Sequence, residues 1–335
     1  MAKKFFKLSD KQSEVRNLSS IGNKDVIRCG ISALDEIIGF KKGYPVFIGG
    51  APHSGKTEIG LEWLVNLSIL KQFKWFCYFG EGGSIESMFL EIMHKYLGKP
   101  YAYATESEKA QAEYFANEYF VIANDDLDYM IGGFYTAVSE AEKEYSIKFD
   151  GTFFDPFNDI EEELLKFSNR EDKFLAYALK EVRKSSKFNK RIDFIVNHIA
   201  SIKAMIDAET KNRYYPPAMQ DEWAGGRTWW RRAFLMVLIY RPPAFLQDQN
   251  GRNYEKNETH VICQKAKPKG IASLGQASVY WDWKKNRYFS VMPNGQILYS
   301  CETPESIQHN IGQPKIQPSK DFTESIKEHE GDVPF

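Results

Sequence analysis

The stretch Gly49-Gly50-Ala51-Pro52-His53-Ser54-Gly55-Lys56-Thr57 constrains this chain more than any other. The apolar run Val46, Phe47, Ile48 leads into it and the helical pattern Leu61, Leu64, Val65, Leu67 leaves it, so the local order is strand, glycine-rich turn, helix. From Gly50 to Thr57 the spacing is G-x-x-x-x-G-K-[ST]. Residues Gly50, Ala51, Pro52, His53, Ser54, Gly55, Lys56, Thr57 and Glu58 are therefore expected to cradle phosphates at a helix N-terminus. Lys56 neutralises the outer phosphates and the Thr57 hydroxyl holds Mg²⁺ in such a loop. The expected ligand is ATP or another nucleoside triphosphate.

Composition narrows the rest. A chain of 335 residues, 43% hydrophobic and 15% aromatic, can bury one large α/β core or two modest ones, which excludes disordered and fibrous classes. No apolar run reaches the roughly 18 residues of a membrane span, and Met1-Ala2-Lys3-Lys4-Phe5-Phe6 lacks the apolar core of a signal peptide. The expected location is the cytoplasm, that of a host cell if the protein is viral, with no membrane partner. Cys29, Cys77, Cys263 and Cys301 are scattered without metal-ligand spacing, which argues against structural zinc. The formal net charge of −1 gives no global nucleic-acid signature. Charge is concentrated locally, however: Lys180 to Arg241 holds thirteen Lys/Arg against six Asp/Glu.

Residues 1–27 read as a polar, basic arm or inter-subunit linker, too short for a core of their own. Ile27 to Gly43 predicts a short amphipathic helix and a glycine turn. Strands are expected at Trp75–Phe79, Tyr119–Ala123, Thr152–Asp155 and Ile192–Val196, with helices between them: one capped by Ser84 and running to Leu97, one over Glu106–Asn117, one over Asp126–Glu144 weakened at Gly132-Gly133, and one around Phe174 to Val182. That alternation predicts a doubly wound, mostly parallel sheet. Further strands at Phe234–Tyr240, His260–Gln264, Ser278–Trp283 and Tyr288–Val291, with no helices between them, should extend it with antiparallel neighbours on the C-terminal side. The core would span 28–300, and 301–335 would be a disordered polar tail.

Three further positions bear chemistry. Asp155 ends an apolar strand about a hundred residues after Lys56, where a carboxylate can hold the Mg²⁺ shell; Asp150 and Asp159 compete for that role without directly terminating the strand. Glu81, just past the strand Trp75–Phe79, can orient or deprotonate the attacking water. His198 closes the strand Ile192–Val196 on the sheet edge that faces a ligand crevice. For nucleic acid, Ser201 to Trp230 combines Lys203, Lys211, Arg213 and Arg227 with Gly225-Gly226 and the aromatic residues Tyr214, Tyr215, Trp229 and Trp230, a mixture suited to phosphates and stacking; Gly225, Gly226 and Arg227 are the preferred contacts.

The succession Gly30-Ile31-Ser32-Ala33-Leu34-Asp35, the phosphate loop, Tyr78-Phe79-Gly80-Glu81, Phe154-Asp155-Pro156-Phe157-Asn158, Val196-Asn197-His198, Gly225-Gly226 and Lys265-Ala266-Lys267 resembles the RecA-fold motor of DnaB-type, superfamily 4 hexameric helicases, nearest in the Asp-Pro-Phe-Asn form to phage and Twinkle-like members. The resemblance covers about residues 27–291. It implies a RecA-like P-loop NTPase fold, a hexameric ring on single-stranded DNA, Glu81 as hydrolytic base, Asp155 as the acid on Mg²⁺, and His198 as a γ-phosphate sensor. It further implies that Arg241 and Tyr280 bracket the base, and that Lys265 and Lys267 reach the neighbouring subunit's ATP. Lys267 stands where the family has arginine and lacks its bidentate fork, so Arg231 or Arg232 could substitute. The alternatives are a RecA-like recombinase or annealing-accessory ATPase, and a nucleotide-switched loader or scaffold with little turnover. The terminus Asp332-Val333-Pro334-Phe335 resembles the acidic tip of bacterial single-stranded-DNA-binding proteins and would recruit replication proteins.

Overall fold

In the computed structural model, residues 5–21, 25–124, 131–157, 167–168, 170–200 and 202–301 are described. The Asp332–Phe335 tip, Asp159 and the start of the helix expected from Asp126 lie outside them. A helix α1 (Gln12–Ile21) precedes the core, and none of its described side chains is buried. The core follows as α2 (Ser32–Asp35), β1 (Val46–Gly50), α3 (Lys56–Lys71), β2 (Trp75–Phe79), α4 (Ile85–Leu97), α5 (Glu106–Tyr119), β3 (Phe120–Ile122), α6 (Ile131–Glu144), β4 (Gly151–Asp155), α7 (Glu171–Asn189) and β5 (Ile192–His198). A two-stranded hairpin, β6 (Met205–Ile206) and β7 (Arg213–Tyr214), and a short helix α8 (Arg227–Arg232) come next. The chain then runs through β8 (Leu235–Tyr240), β9 (Glu258–Ala266), β10 (Gly275–Asp282), β11 (Arg287–Val291) and β12 (Ile297–Tyr299).

Ten strands form one sheet in the order β12-β11-β10-β9-β8-β1-β5-β4-β2-β3. The six from β8 to β3 are parallel, and β9 to β12 continue antiparallel, as the alternation of apolar runs predicts. The hairpin β6–β7 and the edge strand β12 are additions; each is too short to carry a periodic signal.

The pleat divides each central strand between two cores. Val46 and Ile48 of β1 join one with α3, α4 and α5, while Phe47 joins the other with α6, α7 and α8. Because β1 lies at mid-sheet, α3 is buried along most of its length, including Glu62 and Asn66, so it lacks the polar face of a surface helix. Ser84 caps α4 by accepting a hydrogen bond from Ser87 N at 3.2 Å, and Thr105 with Glu108 forms a capping box on α5. No helix among the described residues is long and apolar enough to cross a membrane.

Candidate active site

A cleft of about 790 Å³ opens over the carboxyl ends of β1, β2, β4, β5 and β8, where the strand order reverses direction on either side of β1. Its floor is the phosphate loop. Gly55 has φ +90° at the N-cap of α3 and no side chain caps that helix, so the first-turn amides face the cleft unpartnered by side chains. A side chain at Gly50 would overlap Ser54 Oγ, which explains the glycine that opens the motif. Lys56 is 7% exposed, and its ammonium donates to the Ala51 carbonyl at 3.1 Å. Burial lowers its pKa, opposed by the charges of Asp155 and Glu81.

Thr57 Oγ1 donates to Asp155 Oδ2 at 2.6 Å, joining the phosphate-loop helix to the end of β4. Burial pushes the Asp155 carboxyl up to about 6, against the Thr57 hydrogen bond and the Lys56 charge. A buried carboxylate beside a hydroxyl in a cleft suits Mg²⁺, because a divalent cation offsets the cost of ionising it; Thr57 and Asp155 would hold the ion. Asp150 is excluded from that role: it begins the turn into β4 at the opposite sheet edge, where it accepts from Lys42 Nζ and from Lys74 N. His198 Nε2 lies 3.4 Å from Glu81 Oε1, so the expected base and sensor meet across the mouth of the cleft. Glu58 also lines the cleft, and its carboxylate pairs with Lys95 Nζ at 2.8 Å.

Several buried polar atoms around the loop have no hydrogen-bond partner among the described residues: Ser54 Oγ, His198 Nδ1, Arg241 Nε and Tyr288 Oη. Orphaned groups of this kind are rare unless a ligand completes them. Arg241 Nη2 and Tyr288 Oη approach within 3.7 and 3.1 Å of where a Gly55 Cβ would stand. The Arg241 guanidinium also sits 5.9 Å from the Trp281 ring, making one wall of the cleft. Trp281, rather than Tyr280, completes that wall. Tyr280 stacks on Phe289 at 5.5 Å on the other side of the pleat, so the expected partner of Arg241 is displaced by one residue.

The other expected residues occupy two regions. Lys265 pairs with Met236 near the start of β8, roughly 10 Å along the strands from Gly50. Both it and Lys267 therefore lie at the edge remote from this chain's own cleft. Lys265 is 5% exposed and donates to the Trp230 carbonyl, with its pKa lowered by burial and by Lys267; it is held inside the chain rather than reaching outward. Lys267 is exposed, as are Arg231 and Arg232 nearby.

Lys203, Arg213 and Arg227 are exposed on the segment after β5, while Gly225 and Gly226 take φ +88° and +62° where α8 begins. A Cβ at Gly225 would overlap Leu175. The root of this segment is tied to β5: Ala224 N donates to the His198 carbonyl and Asn197 Nδ2 to the Ala224 carbonyl, both at 3.2 Å. The stacking expected of Trp229 is corrected by its position. Trp229 is fully buried against Phe47 and Phe157, so only Tyr214, Tyr215 and Trp230 remain accessible to a base.

Fold and cleft together define a P-loop domain with a RecA-like sheet. That fold is the one found in the ATPase domains of DnaB-type helicases. One solved structure, an ATPase domain of this kind, superposes with a TM-score of 0.66 at 12% identity, covering 85% of this chain and 99% of that one. A DnaB-like replicative helicase, described with its interactions with primase, superposes at 0.58 and 12% identity, covering 85% and 67%. At this identity the likeness is one of fold. No protein-family model and no curated protein sequence matches the chain.

Proposed function

We propose that the chain is an ATP-driven, ring-forming DNA helicase that moves along single-stranded DNA by hydrolysis at subunit interfaces, in replication of a phage or similar genome. The observation that carries this is the cleft, where Lys56, the Thr57–Asp155 hydrogen bond and the Glu81–His198 pair surround orphaned polar atoms. Mg²⁺, held by Thr57 and Asp155, would supply charge neutralisation between the outer phosphates. Lys56 and the amides of the α3 N-terminus bind and orient those phosphates. Glu81 accepts the proton of the attacking water, and His198, 3.4 Å away, registers whether the terminal phosphate is present. Since Ala224 is bonded to His198 and Asn197, a shift at that strand end passes to Gly225, Gly226 and Arg227, and through the same segment to Arg213 and Lys203. Lys267, remote from its own cleft, serves that of a neighbouring copy.

A forked-duplex unwinding assay with electron micrographs tests this. Rings that unwind the fork with ATP support it; filaments without unwinding would instead indicate a recombinase, and neither would indicate a loader or scaffold.

A further inference from the structure

A second hollow, about 550 Å³, lies at the amino-terminal edge of the sheet, opposite the nucleotide cleft. It forms where the chain enters three adjacent strands, with Tyr44 ahead of β1, Lys190 ahead of β5 and Phe234 ahead of β8, beside the last turns of α7. Those turns present Arg183 and Lys187 four residues apart, hence on one face, together with Lys184. With Lys42, which also lines the hollow and pairs with Asp150, the five cations are exposed. Lys184 is neutralised by Glu181 at 2.7 Å, but Arg183, Lys187 and Lys190 have no carboxylate within 4.0 Å among the described residues. A basic last turn complements the helix dipole, but that weak effect does not account for three unpaired cations around one concavity. Aromatic surface accompanies them. Tyr44 and Phe234 meet edge to face at 5.3 Å in the wall, and Phe188, on the same turns, is 87% exposed.

We propose that this hollow is a second site for single-stranded nucleic acid, with backbone phosphates against Arg183, Lys187 and Lys190 and bases stacked on Phe188 and the Tyr44–Phe234 pair. Cations interleaved with accessible rings are what a flexible strand requires, and a duplex would leave the rings unused. The proposal rests on the functional reading above and adds a site separate from the segment 202–230. Gly225 packs on Leu175, and from Leu175 to Lys187 α7 rises about 18 Å. The segment after β5 is bonded to the strand end that carries His198, whereas the hollow sits on strand entrances, where the Phe234 carbonyl accepts from Lys267 N.

The test uses the full chain and compares R183A/K187A/K190A, F188A and R213A/R227A. Binding of short and long fluorescent oligothymidylates is followed across salt concentrations, alongside ATP binding, melting temperature and oligomeric state. The triple variant should keep its fold and ATP binding, lose about tenfold or more in affinity for the long strand only, and lower the log–log salt slope by about 2. F188A should abolish the photocrosslink from an iodouracil-bearing strand to position 188, a readout that charge removal alone does not provide. A triple variant with wild-type affinity and slope would overturn the site, as would one whose only change is in oligomeric state, which would make the hollow a contact between copies. If only R213A/R227A loses binding, the functional reading stands and this site falls. A wild-type chain that binds no single strand overturns both.

Discussion

Asp155 faces opposite demands with and without a cation beside it. Its folded pKa is raised from 3.8 to about 6, so the native state binds more protons than the unfolded chain between those values and stability falls as pH rises through that window. Above it, the ionised carboxylate costs about 3 kcal/mol. We expect Asp155→Asn, in the absence of nucleotide and Mg²⁺, to raise the melting temperature at pH 7.5. The gain should vanish below pH 4, while Mg²⁺-dependent ATPase activity is lost at every pH. A variant that melts lower at pH 7.5 would show that Thr57 and Lys56 outweigh burial. Glu81→Gln should bind ATP as the wild type does and hydrolyse it at least about a hundredfold more slowly, since an amide keeps the shape but accepts no proton. On the facing wall, Trp281→Ala should weaken nucleotide binding about tenfold by equilibrium titration, whereas Tyr280→Ala should leave it nearly unchanged, because only Trp281 shares the cleft with Arg241.

Among the elements, α4 carries the tie that keeps the cleft's two sides in register. Lys95 is fully buried; burial alone would depress its pKa, but Glu58 and Glu62 of α3 outweigh that and hold it above its usual value. It also donates to the Asn286 carbonyl at 3.2 Å in the turn between β10 and β11, and Glu62 accepts from Ser300. One ammonium thus joins the helix of the phosphate loop, the helix after Glu81 and the antiparallel end of the sheet. Removing one partner of such a buried cluster leaves charge uncompensated, at about 3–5 kcal/mol. Lys95→Met should accordingly lower the unfolding free energy by that amount, read as a lower denaturant midpoint at unchanged m-value, and Lys95→Arg should recover only part, since a planar fork does not fit three acceptors placed around a point charge.

On the scale of the whole molecule, the sheet separates the residues proposed to bind this chain's nucleotide from Lys267, proposed to serve a neighbour's. The phosphate loop lies at the carboxyl edge and Lys267 at the amino edge, so a single subunit cannot use both on one ATP. Lys267→Ala protein should bind ATP yet lose DNA-stimulated hydrolysis, and admixture of Lys56→Ala subunits, whose Lys267 is intact, should partly restore it. Steady-state ATPase across mixing ratios checks this; no recovery at any ratio would place Lys267 in a structural role or return the task to Arg231 or Arg232.

The phosphate loop, the parallel strands and the acid at the end of β4 were legible in the residues themselves because each is a local pattern: continuous apolar runs, a glycine spacing, a cap such as Ser84. Side-chain facing was less legible, since it depends on register against strands far away in the chain. Trp281 and Tyr280 are equally aromatic in sequence, and only the pairing of β10 with β9 and β11 turns the tryptophan toward the cleft. Trp229 and Trp230 read as one stacking platform until α8 packs the first into the core and leaves the second at the surface. Lys265 and Lys267 are alike as cations, yet Lys265 lies within β9 and packs under Trp230, while Lys267 falls past the end of the strand and is exposed. The sequence by itself determined the strand, glycine-rich turn and helix that run from β1 to α3, because that geometry is built within one contiguous stretch. Tertiary structure alone decided that Lys95 would close on Glu58 and Glu62, and that Tyr44, Lys190 and Phe234 would share a hollow, because parallel neighbours in a sheet come from distant parts of the chain.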